Sequence, residues 1–218
     1  MTALFRYFAA LTWQSQRLWP PTLLLIAVLT VLTGSDNGPL AGVYALAAAD
    51  VFVCGTWLTM VVLGLPDPVQ RGIASVQAGG ARQVLFGSAL VAVAGIACYT
   101  VIGTLLPLVI GDHRMVWGMV GVAVLAQLTC GFTAVAVGSV CSKLVFRRPG
   151  HAVSAAVLLM LALLLVPGLP PVHPLFRLLA NGTEPGPLLA PVSLLAGISG
   201  VLLISGVWIT HTVAIRRD

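Results

Sequence analysis

The residues able to do chemistry are few in this chain and lie far apart. Of six acidic residues only Asp50 sits deep inside an apolar run. An ionisable group at mid-membrane depth is costly, and it normally faces a bundle interior or a water-filled cavity. Two roles follow for Asp50. It lines a path for a cationic or polar solute, with Thr56 as a second path residue in the same run. Alternatively it makes a structural hydrogen bond to Tyr44, Thr56 or a neighbouring helix. Gln127 and Thr129, in a later run, read as polar contacts between helices. The histidines (His113, His151, His173, His211) show no metal-ligand spacing such as i, i+4. No serine stands in a G-x-S-x-G elbow. The only lysine, Lys143, has no glycine frame of the G-x-x-x-x-G-K-[ST] kind, so the chain has no phosphate-cradling loop of its own. The four cysteines (Cys54, Cys98, Cys130, Cys141) all fall in apolar runs without a C-x-x-C partner, and they read as small buried hydrophobes. No cofactor or metal site is expected on this chain.

What positions these residues is a set of apolar helices. Charged residues make up 8% of the chain and apolar ones 59%, with a mean hydropathy of +1.05. A soluble surface needs more charge than that, so the solvent must be lipid. A spanning helix needs about 20 mostly apolar residues. Six runs qualify, at roughly 20–34, 40–64, 84–110, 116–141, 152–169 and 188–215. The first is the shortest and reaches spanning length only if Gln16 to Trp19 continue it. The expected fold is therefore all-α, a single polytopic transmembrane domain over 1–218.

The net charge of +5 rests on ten arginines and one lysine. Its placement argues for orientation and not for nucleic acid. With the N-terminus inside, the inner segments hold nine cations: Arg6, Arg17, Arg71, Arg82, Lys143, Arg147, Arg148, Arg216 and Arg217. The outer loops hold two, Arg114 and Arg177. Cytoplasmic loops carry the excess of Lys and Arg, so both termini are expected in the cytoplasm. Met1 to Trp19 lacks the long apolar core of a cleavable signal.

Three segments depart from plain spans. In the first, 1–19, Leu4, Phe8, Leu11, Ser15 and Leu18 share one face while Arg6, Gln14 and Arg17 lie elsewhere. This suggests an amphipathic helix along the inner membrane surface, followed by a turn at Trp19-Pro-Pro. A ragged cytoplasmic start to the first span is the other reading. The second, LPDPVQRGIASVQAGGARQVLFG, is the polar interruption between spans two and three. Asp67 suits an N-cap, Pro68 a first helical residue, and Gly79-Gly80 a stop. A short helix within 66–80, parallel to the membrane, is expected. Ile73 and Val76 would face the bilayer or the helix ends, and Gln70, Arg71 and Gln77 the cytoplasm. The third, 167–189, carries six of the fourteen prolines yet stays apolar. It reads as one or two short helices dipping into the outer leaflet, a re-entrant segment buried in protein.

This layout resembles the permease subunit of an ABC-type exporter, the small six-helix type-2 class with the type V exporter fold. The resemblance covers nearly the whole chain. It rests on the helix before span one, the helix between spans two and three, the proline-rich segment between spans five and six, and the basic tail Arg216-Arg217-Asp218. It implies that the 66–80 helix is a coupling helix seated in a cleft of a separate ATP-binding subunit, with the N-terminal helix lining the same interface. Asp67, Gln70, Arg71, Ile73 and Gln77 would be the ATPase-coupling residues. Where the family commonly has Glu early in this helix, this chain has Gln70-Arg71. ATP and Mg2+ would bind on the partner, so the chain is not itself an enzyme. A second permease, identical or paralogous, would complete a central path, with span five of each subunit on the axis. Leu161, Leu164 and Leu165 would then form an apolar gate; lipid-facing leucines are the other reading.

Four function classes are weighed. The first is an exporter subunit moving a drug or antibiotic, peptide or lipid out of the cytoplasm by alternating access. An intramembrane enzyme needs a cluster of polar residues at one depth, and only Asp50 is available. An ion-coupled carrier needs several intramembrane ionisable groups and often a repeat. A membrane assembly factor would not need the coupling helix. The abundance of Ala, Gly, Val and Arg beside one Lys suggests a GC-rich bacterial genome, and hence the bacterial cytoplasmic membrane.

Overall fold

The computed structural model describes residues 2–35, 40–110, 117–146, 148–181 and 185–215. Among these, the chain is all helix. In order the elements are α1 (Thr2–Gln14), α2 (Trp19–Ser35), α3 (Leu40–Gly64), α4 (Pro68–Ala78), α5 (Ala81–Ile110), α6 (Trp117–Val140), α7 (Pro149–Leu165), α8 (Val172–Asn181) and α9 (Pro185–Ile215). Four of them, α3, α5, α6 and α9, are long and apolar enough to cross a membrane. A fifth span is reached if α1 and α2, bent by 72° at their junction, count as one broken span. This is the architecture of a polytopic membrane protein. α2 starts at Trp19, so Gln16 to Leu18 do not lengthen the first expected span, and the fifth ends at Leu165 and not at Leu169. Both α2 and α7 have 17 residues, and α7 stops at Leu165, because Pro167, Gly168 and the prolines after Leu169 cannot continue it. The loop GSDNGP, the turn GDHRM, Arg147 and the tail Arg216-Arg217-Asp218 lie wholly or largely outside the described residues.

The centre of the bundle is a seam of small residues. In lipid, helices gain nothing from hiding apolar surface from water, so close backbone packing must hold them together. Gly138 of α6 lies against Thr56 and Thr59 of α3, and Gly206 of α9 lies against the backbone of Ala136 in α6. The Ile96 side chain of α5 fills the space over both Gly55 of α3 and Gly131 of α6. A side chain at any of these glycines would meet atoms already in place. Helices α3 and α6 accordingly bury most of their length. Polar side chains in the spans mostly fold back on their own helices: Thr59, Thr100, Thr133 and Thr210 each donate to the carbonyl four residues earlier.

The three special segments take definite form. α1 ends at Gln14, so Ser15 and Leu18 are not part of it. Phe8 and Leu4 pack onto Gly87 of α5, which docks α1 against the bundle. Gln16 adopts a left-handed φ of 54° at the elbow, and the Trp13 and Trp19 rings stand 6.3 Å apart across it. In the third segment, α8 buries Val172, Leu175 and Leu179 and leaves Arg177 exposed, which explains why so proline-rich a stretch stays apolar. It packs over α3, α6, α7 and α9.

Candidate functional site

Two regions depart from what the bundle needs for its own packing. The first is α4, held at the end of α3 and α5 by links of three and two residues. Gly79 closes it with a left-handed φ of 80°, and the Gly80 N–H donates to the Ser75 carbonyl at 2.8 Å. Only glycine takes that φ without cost, so the stop is written in Gly79-Gly80. Asp67 stands at the N-cap position, but its carboxylate makes no capping hydrogen bond. Ala74 and Ala78 pack towards the bundle. Val69, Ile73 and Val76, at i, i+4 and i+7, point away from it, with Val76 84% exposed. The expectation that Arg71 faces outward with Gln70 and Gln77 is corrected. Gln70 and Gln77 are exposed, whereas Arg71 turns back and donates from Nη2 to the Leu63 carbonyl at 3.2 Å. The last carbonyls of a helix have no partner within it, and a guanidinium there satisfies one.

The second region is a groove of about 570 Å3 between α2, α3 and α7. Its walls are apolar: Leu24 of α2, Val53, Trp57 and Met60 of α3, and Val153 and Val157 of α7. Arg17 and Lys143 border it at the α4 end of the bundle. The Lys143 stem runs past Gly64, where a larger residue would touch it. This groove was not visible in the sequence. Its residues come from three separate helices, and Arg17 and Lys143 each read as ordinary inner-loop cations.

The expected path residues do not share one wall. Thr56 borders the groove but is fully buried, and its hydroxyl donates to the Phe52 carbonyl at 2.8 Å. Asp50 lies six residues earlier, about 120° away on the same helix. It is 8% exposed, on the face turned to Cys54. Its partner is neither Tyr44 nor Thr56. The Cys54 thiol donates to Oδ1 at 3.4 Å, and Oδ2 has no hydrogen-bond partner among the described residues. Nearby, the Thr22 and Tyr99 hydroxyls are bonded to each other at 2.9 Å and tie α2 to α5. Gln127 is wholly buried over Gly103 of α5, and neither of its amide atoms finds a partner among the described residues. It joins the helices by packing and not by the hydrogen bond expected. On α7, Leu161 and Leu165 point outward, the latter 70% exposed, while Leu164 turns in against the core. Among the described residues no group of three or more His, Cys, Asp or Glu side chains is placed to hold a metal ion.

No protein family, curated protein or solved structure was found to match this chain.

Proposed function

We propose that this chain is the membrane subunit of an ATP-driven ABC-type exporter, in the small six-helix type-2 class. The observation that carries the reading is α4. Only a partner or the bilayer surface gives a helix between two spans a reason to present Val69, Ile73 and Val76 away from the bundle. A helix that seats in a cleft of a partner has that reason, since an apolar stripe at i, i+4, i+7 is what a groove receives. The two short links and the Arg71 bond to the end of α3 make α4 stiff. A push on it is therefore delivered to α3 and α5 and not absorbed in a loop.

In this reading α2 and α7 complete the count to six spans, both termini are cytoplasmic, and the membrane is the bacterial cytoplasmic one. ATP and Mg2+ bind on the partner subunit. Asp67, Gln70, Ile73 and Gln77 meet that partner, and Arg71 braces the helix from behind. A second permease, identical or paralogous, meets the outer half of α7, where Leu161 and Leu165 face it and Leu164 supports them from within. The cargo is an apolar or amphipathic compound, moved by alternating access.

The test is extraction of the tagged protein from its host in mild detergent, followed by mass spectrometry of what co-purifies. A stoichiometric soluble partner bearing a P-loop lysine supports the reading. A chain that emerges alone, and whose reconstituted vesicles show no ATP dependence, defeats it. The weight would then pass to Asp50, as the ionisable centre of a carrier.

A further inference from the structure

The groove between α2, α3 and α7 has a length, a polarity and a charge, and the three agree on one class of occupant. Its α3 wall runs from Val53 to Gly64, twelve residues, whose eleven steps of about 1.5 Å span about 16 Å of helix. Its α7 wall runs from Ala152 to Met160, nine residues, whose eight steps span about 12 Å. Half of a hydrocarbon core is about 15 Å. The groove therefore spans one leaflet. Its body is apolar, and its two cations, Arg17 and Lys143, both stand at the α4 end. Asp50 and Asp67 are the only acidic side chains among the described residues, and neither borders the groove.

We infer that this groove is a binding site for an anionic phospholipid of the leaflet on the α4 side, its phosphate held between Arg17 and Lys143 and one acyl chain laid along Trp57, Met60 and Val157. Charge complementarity selects this occupant over a second copy of the chain. A two-fold interface brings the same patch against itself. Two copies meeting here would set Arg17 and Lys143 against their own kind, with no acidic side chain among the described residues bordering the groove to pair them. A lipid phosphate supplies the missing charge, and juxtamembrane Lys and Arg each contribute favourably to binding an anionic headgroup. The site does not depend on ATP-driven transport. The α7 wall of the groove ends at Met160, before Leu161 and Leu165, the residues assigned above to the second permease.

Trp57, half-exposed in the α3 wall, reports on the occupant. The experiment uses the full chain with its other four tryptophans replaced by Phe. It is reconstituted in phosphatidylcholine vesicles to which brominated phosphatidylglycerol or brominated phosphatidylcholine is added. Bromine in the upper acyl chain quenches an adjacent indole. The expected result is an apparent affinity about tenfold higher for the anionic lipid, from the two cations together. Arg17→Gln with Lys143→Gln removes that preference and leaves the thermal melt unchanged, since both side chains are exposed. Val157→Phe, which narrows the groove, weakens quenching by both lipids. Arg148→Gln changes an exposed cation at the same end that does not border the groove, and it keeps the preference. Equal quenching by the two lipids overturns the inference. So does a preference that survives the double substitution, or one lost equally in Arg148→Gln, which would show general surface charge. Quenching by neither lipid, together with disulfide formation between copies carrying Val153→Cys, would assign the groove to a second copy and overturn it as well.

Discussion

The seam of α3, α6 and α9 and the wall formed by α7 are built on opposite rules. In the seam, glycines bring backbones together and most of α3 and α6 is buried. In α7 most side chains point outward, the helix has only 17 residues, and the groove opens beside it. Both stretches are about equally apolar, so hydropathy alone does not separate them. The separation lies in residue size. Small residues mark where a membrane helix must approach another, and large aliphatic ones mark where it meets lipid or a partner. The seam is therefore the rigid part, and α7 with α4 is the part left free for other molecules.

The largest expected effect falls on the seam. Gly131→Leu forces a side chain into the space held by Ile96 and costs about 3 kcal/mol of folding stability. Loss of the monodisperse peak in detergent, with a melt lowered by many degrees, checks it. The same substitution at Gly150, in the first turn of α7, where nothing lies within 4 Å of an added Cβ, leaves the melt unchanged. If both positions tolerate leucine, seam and wall are not mechanically different.

Next in size is a change on α4. Ile73→Glu places a charge in the outward stripe, 56% exposed at that residue, so folding is unaffected. If α4 is the coupling helix proposed above, partner-stimulated ATP hydrolysis falls at least tenfold, as for an interface anchor worth about 1.4 kcal/mol or more. Full hydrolysis in this variant would remove α4 as the coupling element. Asp50→Asn comes third. An amide oxygen can still accept the Cys54 thiol, so stability stays within about 1 kcal/mol while transport rate changes. Failed assembly instead would make Asp50 a structural residue.

The helical architecture was legible because it is written in composition and in punctuation. Charge scarcity called for lipid, and Asp67-Pro68 and Gly79-Gly80 bounded α4 to within about two residues, whereas the fifth span was drawn to Leu169 and α7 ends at Leu165. What was not legible depends on which helices become neighbours. The seam glycines look the same as the solvent- or lipid-facing ones until α3 and α6 are juxtaposed. Arg71 reads as a surface cation until the open carbonyls at the end of α3 are seen beside it. Asp50 and Thr56 seemed to share a path because they share a helix, yet six residues carry them to different faces. The groove needed three helices at once, which no local pattern records.

The smallest change proposed is also the one that sharpens where α7 stops being a wall and becomes an interface. Under a two-fold axis, a residue close to the axis meets its own copy. Leu165, 70% exposed at the end of α7, is the residue that a contact between the outer halves would bring nearest to itself. In a Cys98→Ser background, which removes the exposed native thiol, Leu165→Cys is expected to shift stability by less than about 0.5 kcal/mol. Mild oxidant should then convert it to a disulfide-linked dimer on a non-reducing gel, while Val153→Cys in the groove stays monomeric. A ladder at both positions would mean that the whole of α7 is covered by the second copy, leaving no room for lipid. Absence of a dimer at both would move the second subunit to another face, and the outward leucines would be left facing the bilayer.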